Sequence, residues 1–277
     1  MERGSRNAED SHLHGMIHAY FDDSCDPNMK EYAACGGILG DSFNMTLTET
    51  TWNQATSHLK EPFRSTDCEC QQGQFKDWSK EACNDLMDRL VTILMTEPIR
   101  CGILGVAVPI QLFHQIFPDM GRDAPYRFAV WHTVVSMIKV SRKHHQRCQL
   151  WFESGPRNGF ALEAYSAAEA CKFPAVADNN RLAKLAFGTK TMAPLQAADL
   201  AARESLKAAL NHGKRPIRIP LRRLWGQAGI IVLAEKCLRQ VKDAGGPFNM
   251  NALGTVGLDC YIREVLDNAY TKGRLEL

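Results

Sequence analysis

Three acidic residues of this chain stand in apolar surroundings, where charge is costly. Asp22 ends an apolar run that begins at residue 16, Glu153 follows the run Leu-Trp-Phe, and Asp199 lies on the apolar side of a predicted helix. A carboxylate in such a setting takes up a proton unless a cation compensates its charge. Converging carboxylates suit Mg²⁺ or Mn²⁺, which prefer oxygen ligands. We therefore predict a metal-dependent phosphodiesterase site whose metal ligands are these three acids.

Phosphodiester hydrolysis explains why several acids would be needed. In-line displacement requires a metal-activated water and a second positive charge on the leaving oxygen, and two ions about 3.5–4 Å apart supply both. We expect Asp22 to bridge the ions, while Glu153 and Asp199 each hold one side. Each acid also has an ordinary interpretation. Asp199 could be a buried acid paired with an Arg or with backbone donors, and the other two could be strand-ending turn residues.

The spacing of apolar residues assigns these acids to strands and helices. It predicts strands over residues 16–22, 33–39, 101–108, 149–153 and 182–187, and helices over residues 51–59, 78–95, 126–145, 160–171 and 194–210. The polar stretch 61–75 is predicted to be a loop. Since side chains alternate along a strand, only one of Asp22 and Asp23 can face the site. We favour Asp22, because Asp23 lies closer to the turn that follows.

Strands that alternate with helices predict an α/β layered fold. Residues 1–14 are polar and are predicted to be a disordered tail, while residues 15–212 form the core domain. Residues 213–277 are predicted to be a helical C-terminal appendage. It comprises a basic linker, a helix over residues 221–241, a Gly-Gly-Pro break and a last helix over residues 258–270. These C-terminal helices offer a surface for homo-oligomerisation.

Four blocks of the chain resemble the signature blocks of the DUF3800 family. They are residues 20–24 (Tyr-Phe-Asp-Asp-Ser), residues 63–69 together with 73–78, residues 152–155 (Phe-Glu-Ser-Gly) and residues 194–202 (Pro-Leu-Gln-Ala-Ala-Asp-Leu-Ala-Ala). The resemblance implies a ribonuclease H-like fold over most of the core, with a mixed sheet flanked by helices and an acidic two-metal centre. By position, Asp22, Glu153 and Asp199 fall on the acidic positions expected of that fold.

The resemblance also implies a fourth ligand, Asp67 or Glu69. We rank Asp67 ahead because it falls on the acid of the family's block. Two residues depart from the family's pattern: Cys25 stands where Gly is common after Asp-Asp-Ser, and Arg64 stands where His is frequent. The Arg64 guanidinium could hold a substrate phosphate with its fork of donors, or the change could mark an altered or lost activity.

Two basic groups could follow a phosphate backbone. One lies at residues 139–147, at the end of a predicted helix, and the other at residues 214–223, in a linker where two prolines hold Arg218 and Arg222 in an extended array. The alternative is a solvated helix end and an ordinary charged linker. Lys190, shortly before the Asp199 helix, could also reach a substrate phosphate.

Composition sets wide limits on function. The formal net charge is +2 over 277 residues, so any nucleic-acid binding must come from local patches. The ten cysteines are scattered, and without an export signal we expect free thiols. The group Cys68, Cys70 and Cys83 lacks the second close pair typical of structural zinc sites. No apolar stretch is long enough to span a bilayer, and we expect a cytoplasmic protein without membrane contact.

The leading hypothesis is a Mg²⁺- or Mn²⁺-dependent nuclease that hydrolyses phosphodiester bonds of RNA or DNA. The first alternative is a non-catalytic nucleic-acid-binding or scaffold protein on the same ribonuclease H-like fold. The second is a protein-interaction module that uses the C-terminal helices. Strand transfer of the transposase type ranks lower, because the sequence shows no separate DNA-binding domain of the kind such an enzyme carries.

Overall fold

Helices cover both faces of a mixed six-stranded sheet, which confirms the α/β class. The computed structural model describes residues 15–25, 30–95, 101–171, 182–211 and 228–255. The turn at residues 26–29, Arg218 and Arg222 of the basic linker, and the predicted helix over residues 258–270 lie outside these ranges. None of the helices within them is both long enough and apolar enough to cross a membrane.

The sheet contains six strands in the described residues. They are β1 (Met16–Cys25), β2 (Tyr32–Asp41), β3 (Gly102–Pro109), β4 (Arg147–Glu153), β5 (Leu182–Gly188) and β6 (Ala228–Val232). The helices are α1 (Ser42–Thr56), α2 (Ser65–Cys70), α3 (Lys80–Met95), α4 (Ile110–Ile116), α5 (Ala124–Lys143), α6 (Asn158–Ala170), α7 (Ala193–Asn211), α8 (Glu235–Asp243) and α9 (Met250–Thr255). A short 3₁₀ turn, Gly73–Phe75, follows α2.

The strands are ordered β5-β4-β1-β2-β3-β6 across the sheet. β1, β2 and β3 form an antiparallel meander. On the other side of β1, β4 runs parallel to it, and β5 runs parallel to β4. Because the carboxyl ends of parallel neighbours meet at one edge of a sheet, the residues that end β1 and β4 are brought side by side.

Side-chain alternation along β1 separates two apolar layers. Phe21 packs in the layer that contains Phe128 of α5. Tyr20 points the other way, into the layer that contains Leu90 of α3 and Leu195 of α7. The next residue that points toward α7 is therefore Asp22, and α7 covers the end of β1 on this face of the sheet.

A row of small residues lets α7 approach the sheet closely. Asp22 pairs with Gly36 of β2, and Gly36 pairs with Gly105 of β3. A Cβ atom on Gly36 would lie 2.6 Å from the Cα of Ala202, and one on Gly105 would lie 2.6 Å from the Cβ of Ser205. Glycine is therefore required at both positions, because any side chain would push α7 away from the sheet.

Two helical segments differ from the predictions near the start of the core. The first helix was predicted over residues 51–59, but α1 begins at Ser42, because Asp41 caps it and its Oδ1 accepts a hydrogen bond from Asn44 N at 2.8 Å. The stretch 61–75 was predicted to be a loop, yet it contains α2 and the 3₁₀ turn. A helix as short as α2 gives too few turns for a periodic pattern to show.

The C-terminal region also corrects a prediction. The single helix expected over residues 221–241 is wrong, because residues 228–232 form β6 beside β3, and α8 is the helix within the described part of that range. The run Gly-Ile-Ile-Val favours a strand, and a short apolar run does not distinguish strand from helix by period alone. Leu238 of α8 packs in the same apolar layer as Phe128. The described part of this region therefore belongs to the layered fold and is not a separate helical appendage.

Candidate active site

Asp22 lies near the carboxyl end of β1 and faces α7. Its side chain is only 3% exposed. Asp23 points to the opposite face, where its Oδ2 accepts a hydrogen bond from Arg157 Nη1 at 2.8 Å. The Arg157 guanidinium in turn lies 4.1 Å from the centre of the Tyr126 ring. Strand alternation thus buries one of the two neighbouring acids on the side of α7 and leaves the other in a half-exposed ion pair.

Glu153 ends β4, the parallel neighbour of β1. The last residue pair in that part of the ladder is Phe21 with Phe152, and each of these is followed directly by an acid of the site. On the same face, Tyr20 and Trp151 stack with their ring centres 5.9 Å apart. These two residues are register partners, and each lies two positions before one of the two carboxylates.

Asp199 reaches the same place from α7. Its Oδ2 accepts a hydrogen bond of 2.5 Å from the backbone N–H of Ser65, the first residue of α2. The Ser65 hydroxyl also donates to the backbone carbonyl of Asp199, at 3.4 Å. The second oxygen of the carboxylate, Oδ1, is turned toward the strand ends. Helix α2, absent from the predicted elements, therefore orients one of the predicted site residues.

The three carboxylates converge on Lys190, which lies in the loop between β5 and α7. The Lys190 ammonium hydrogen-bonds Asp22 Oδ2 and lies 3.4 Å from Glu153 Oε2 and 3.6 Å from Asp199 Oδ1. It also donates to the carbonyl of Leu195 at 3.2 Å. Its side chain is 4% exposed, while those of Glu153 and Asp199 are 23% and 16% exposed. We call Asp22, Glu153 and Asp199 the acidic cluster.

Charge in the acidic cluster exceeds what Lys190 can compensate. Burial raises the pKa of Asp22 well above its ordinary range; the Lys190 ammonium opposes this, and the charges of Asp199 and Glu153 add to it. For Lys190, burial acts to lower the pKa, but the three carboxylates together raise it above the ordinary lysine value. One ammonium among three carboxylates leaves a formal excess of two negative charges when all are ionised.

The donor set of the acidic cluster suits a divalent ion. It consists of carboxylate oxygens alone, which Mg²⁺ and Mn²⁺ prefer, and its excess charge matches one such ion. Within the part of the chain that the structure describes, no three His, Cys, Asp or Glu side chains are already arranged around a common ion position. At the acidic cluster, the carboxylates are not arranged around a common ion position because the Lys190 ammonium lies between them.

Gln196 is a site residue that sequence reasoning missed. Its side chain is buried, and its Oε1 accepts hydrogen bonds from Trp52 Nε1 at 3.0 Å and from Phe63 N at 3.1 Å. Its Nε2 donates to the backbone carbonyl of Lys190 at 2.8 Å. Gln196 thereby ties α1, the segment that leads into α2, and the Lys190 loop together. Its place one turn before Asp199 in the Leu-Gln-Ala-Ala-Asp block was the available signal.

The two candidates for a fourth ligand have different surroundings. Glu69 is engaged by the next turns of α7, through Arg203 Nε at 2.8 Å and Lys207 Nζ at 3.2 Å. Asp67 lies in the first turn of α2, and its Oδ2 would be 3.5 Å from a Cβ atom on Gly73. Among the described contacts, none joins the Asp67 carboxylate to the acidic cluster. The fourth-ligand role of either residue stays a prediction.

Arg64 is an exposed residue next to one of the contacts of the acidic cluster. It directly precedes Ser65, the residue that donates to Asp199, and its side chain is exposed. Of the four predicted substrate-binding residues, Lys190 lies in the acidic cluster and Arg64 is the chain neighbour of a residue that contacts it. Arg218 and Arg222 lie outside the described residues.

Comparisons of the chain with protein-family models, with curated proteins and with solved structures find no match. What the site can do must therefore be argued from its geometry.

Proposed function

We propose that this chain is a Mg²⁺- or Mn²⁺-dependent nuclease that hydrolyses phosphodiester bonds of RNA or DNA. Asp22, Glu153 and Asp199 would hold the metal. One observation carries the proposal: three acids from three separate elements meet at one point and outnumber the cation, Lys190, that the described residues place among them. A purely structural ion-pair network would be expected to balance its charges, because an uncompensated buried charge is strongly destabilising.

The acidic cluster holds its carboxylates in the positions that metal-dependent hydrolysis requires. A bound divalent ion would supply a nucleophilic water and stabilise charge on the leaving oxygen. Asp22, from a strand end, and Asp199, fixed by the Ser65 N–H, hold their carboxylates in place before any ligand arrives. The stacked Tyr20–Trp151 pair precedes Asp22 and Glu153 on the same face of the sheet. Such preorganisation is how a protein lowers the cost of positioning the reacting groups.

The finer fold assignment belongs to the same proposal. We assign the domain to the ribonuclease H-like class and to the DUF3800 family that its sequence blocks resemble. The mixed sheet supports this, with its antiparallel meander β1–β2–β3, the parallel strands β4 and β5 beside β1, and helices on both faces. The acidic cluster at the ends of β1 and β4 supports it as well.

The exposed side chain of Arg64 favours a nucleic-acid substrate. Arg64 precedes Ser65, and its guanidinium can donate two parallel hydrogen bonds to a phosphate. Arg203 and Lys207 of α7 both pair with Glu69, which compensates part of their charge, and Arg203 is buried. A phosphodiester backbone that passes Arg64 would bring its charged groups toward the acidic cluster.

A non-catalytic scaffold is the second candidate, and one specific observation favours it. Lys190 already supplies a positive charge to all three carboxylates, so the site has a stable arrangement without an ion. The Cys25 and Arg64 departures from the family's pattern agree with lost activity. On this proposal the protein binds nucleic acid and leaves it intact.

A cleavage assay separates the two candidates. Single- and double-stranded RNA, DNA and hybrid would be incubated with Mg²⁺, Mn²⁺ or EDTA. The Asp22→Asn and Asp199→Asn variants would be compared with Asp23→Asn, a matched change on the same strand that points away from the site. We expect metal-dependent cleavage by the parent and by Asp23→Asn, and none by the other two. Full activity of Asp22→Asn, or binding without cleavage by the parent, would contradict the nuclease proposal.

A further inference from the structure

Lys190 occupies the central position of the acidic cluster. Its ammonium contacts all three carboxylates, and only 4% of its side chain is exposed. A lysine that served only to bind a substrate phosphate would be expected to be exposed, as Arg64 is.

We propose that Lys190 is an internal counterion that competes with the divalent metal, so that metal binding displaces its ammonium from the carboxylates. This inference rests on the proposed metal-dependent function. It assigns Lys190 a regulatory role at that site: it holds the acids together without metal and sets the metal concentration at which the site forms.

Competition follows from the donor atoms. Asp22 Oδ2 accepts a hydrogen bond from the ammonium, and this is an oxygen that a ligated ion would use. Mg²⁺ requires oxygens at about 2.0–2.1 Å, whereas Lys190 Nζ lies 3.4 Å and 3.6 Å from the oxygens of Glu153 and Asp199. An ion ligated by Asp22 Oδ2 would need the position that the Lys190 ammonium now holds against that oxygen. The carboxylates must therefore exchange one partner for the other.

The displacement is confined to the side chain. The backbone carbonyl of Lys190 accepts a hydrogen bond from Gln196 Nε2 at 2.8 Å, and Gln196 is itself held by Trp52 and Phe63. The loop therefore keeps its position while the four-carbon stem of the lysine rotates. A lysine suits this task, because its ammonium is a compact charge on a flexible chain.

Metal titration of charge-removed variants tests the competition. Mn²⁺ would be titrated by calorimetry into the parent, Lys190→Met and Lys184→Met, the last removing a lysine from an exposed position on β5. We expect Lys190→Met to bind Mn²⁺ at least about tenfold more tightly than the parent, and Lys184→Met to bind like the parent. Unchanged or weaker binding by Lys190→Met would overturn the counterion role and leave the metal site standing. If none of the three proteins binds Mn²⁺, the proposed function fails with it.

A second measurement uses the parent protein alone, in case Lys190→Met does not fold. Reductive methylation with formaldehyde and a borane, read by peptide mass spectrometry, reports how accessible each lysine amine is. Without metal we expect Lys190 to react much more slowly than Lys184, and saturating Mg²⁺ should raise its rate several-fold. A Lys190 rate that Mg²⁺ leaves unchanged or lowers would overturn the displacement.

Discussion

Gly36 lies so close to Ala202 that a Cβ atom on the glycine would be 2.6 Å from the Cα of Ala202. Gly36 is also the register partner of Asp22. The distance between α7 and β2 therefore fixes how near Asp199 comes to Asp22. The acidic cluster depends on the absence of a side chain at a position that carries no chemistry itself.

We expect Gly36→Ala to lower the free energy of unfolding by about 1–3 kcal/mol, the usual cost of overpacking a core. The added methyl group meets the backbone of α7, which can yield only if the whole helix shifts. That shift should also impair any metal binding by the acidic cluster. Urea unfolding and Mn²⁺ titration measure the two effects.

Gly121→Ala is the matched control for that substitution. No atom lies within 4 Å of a Cβ built on Gly121. Its free energy of unfolding should stay within about 0.5 kcal/mol of the parent's. Equal effects of the two substitutions would show that the approach of α7 at Gly36 is not what matters.

The sequence was sufficient to predict the positions of the acids on their elements. Alternation along β1 meant that only one of Asp22 and Asp23 could face the site, and the nearness of Asp23 to the turn favoured Asp22. Helical spacing placed Asp199 on the inward face of α7. Both predictions rest on local periodicity, which short-range geometry enforces. The mixed sheet flanked by helices was expected as well, from the resemblance to a known family.

Other features depend on tertiary contacts and left little trace in the sequence. Lys190 was predicted to reach a substrate phosphate from its place shortly before the Asp199 helix, but its contacts with all three carboxylates depend on the tertiary structure. The start of α2 matters because Ser65 meets Asp199, a contact between residues 134 positions apart. β6 was mistaken for helix because a five-residue apolar run has no diagnostic period.

Gln196→Leu should lower the free energy of unfolding strongly, although the two side chains are similar in size. The substitution leaves Trp52 Nε1, the Phe63 N–H and the Lys190 carbonyl without their partner in a buried region. An unsatisfied buried polar group costs about 1–3 kcal/mol, so we expect a loss of about 2–4 kcal/mol in urea unfolding.

Gln74→Leu provides the comparison for Gln196. Gln74 also uses both ends of its amide, accepting from Lys60 N and Glu61 N and donating to Glu61 O, but its bonds are exposed. Water can replace them, so its loss should stay below about 1 kcal/mol. If Gln74→Leu lowers the free energy of unfolding as much as Gln196→Leu does, burial of the Gln196 hydrogen bonds is not the cause of the loss.

His132 should make the protein sensitive to acid. Burial first, and the charge of Lys139 second, lower the pKa of this histidine to about 4, from an ordinary value of 6.5. Between these values the unfolded chain binds a proton that the folded protein does not. The associated stability, about 3 kcal/mol, is therefore present above pH 6.5 and is lost as the pH falls toward 4.

The test of His132 is the change in unfolding free energy between pH 7 and pH 5. His132→Gln should flatten this change, while His144→Gln, at an exposed position, should leave it as in the parent. An equally steep decline in His132→Gln would assign the acid sensitivity to other groups.

Arg64→Ala should weaken nucleic-acid binding without abolishing it. If Arg64 contacts one phosphate, its loss reduces the slope of log affinity against log salt by about 1. Fluorescence anisotropy in EDTA, over a range of salt concentrations, measures the slope without cleavage. Arg89→Ala, on the exposed side of α3, should leave the slope unchanged. A slope that does not differ between the two variants would remove Arg64 from the binding surface.

Asp22→Asn should raise stability when metal is absent. Burial, together with the charges of Asp199 and Glu153, raises the pKa of Asp22 above its ordinary value of 3.8, against the opposing Lys190. The folded protein therefore holds this proton to a higher pH than the unfolded chain does. It follows that the Asp22 contribution to stability falls as the pH rises, and that the variant escapes this loss. In EDTA, Asp22→Asn should exceed the parent in unfolding free energy at pH 8, and the difference should shrink toward pH 4.

In the presence of Mg²⁺ the parent should have the higher unfolding free energy and Asp22→Asn the lower, because a metal ion stabilises only a protein that can bind it. At a Mg²⁺ concentration of 100 times the dissociation constant, the parent should gain about 2.7 kcal/mol, while Asp22→Asn, which lacks one carboxylate ligand, should gain much less. Urea unfolding at pH 8 with Mg²⁺ or EDTA measures both gains. Equal gains in the two proteins would mean that Mg²⁺ acts elsewhere, and a parent that gains nothing would favour the scaffold. If Asp22→Asn is more stable than the parent in EDTA and less stable in Mg²⁺, Asp22 is a metal ligand. If it is less stable in both, the ion pair with Lys190 accounts for the burial of Asp22.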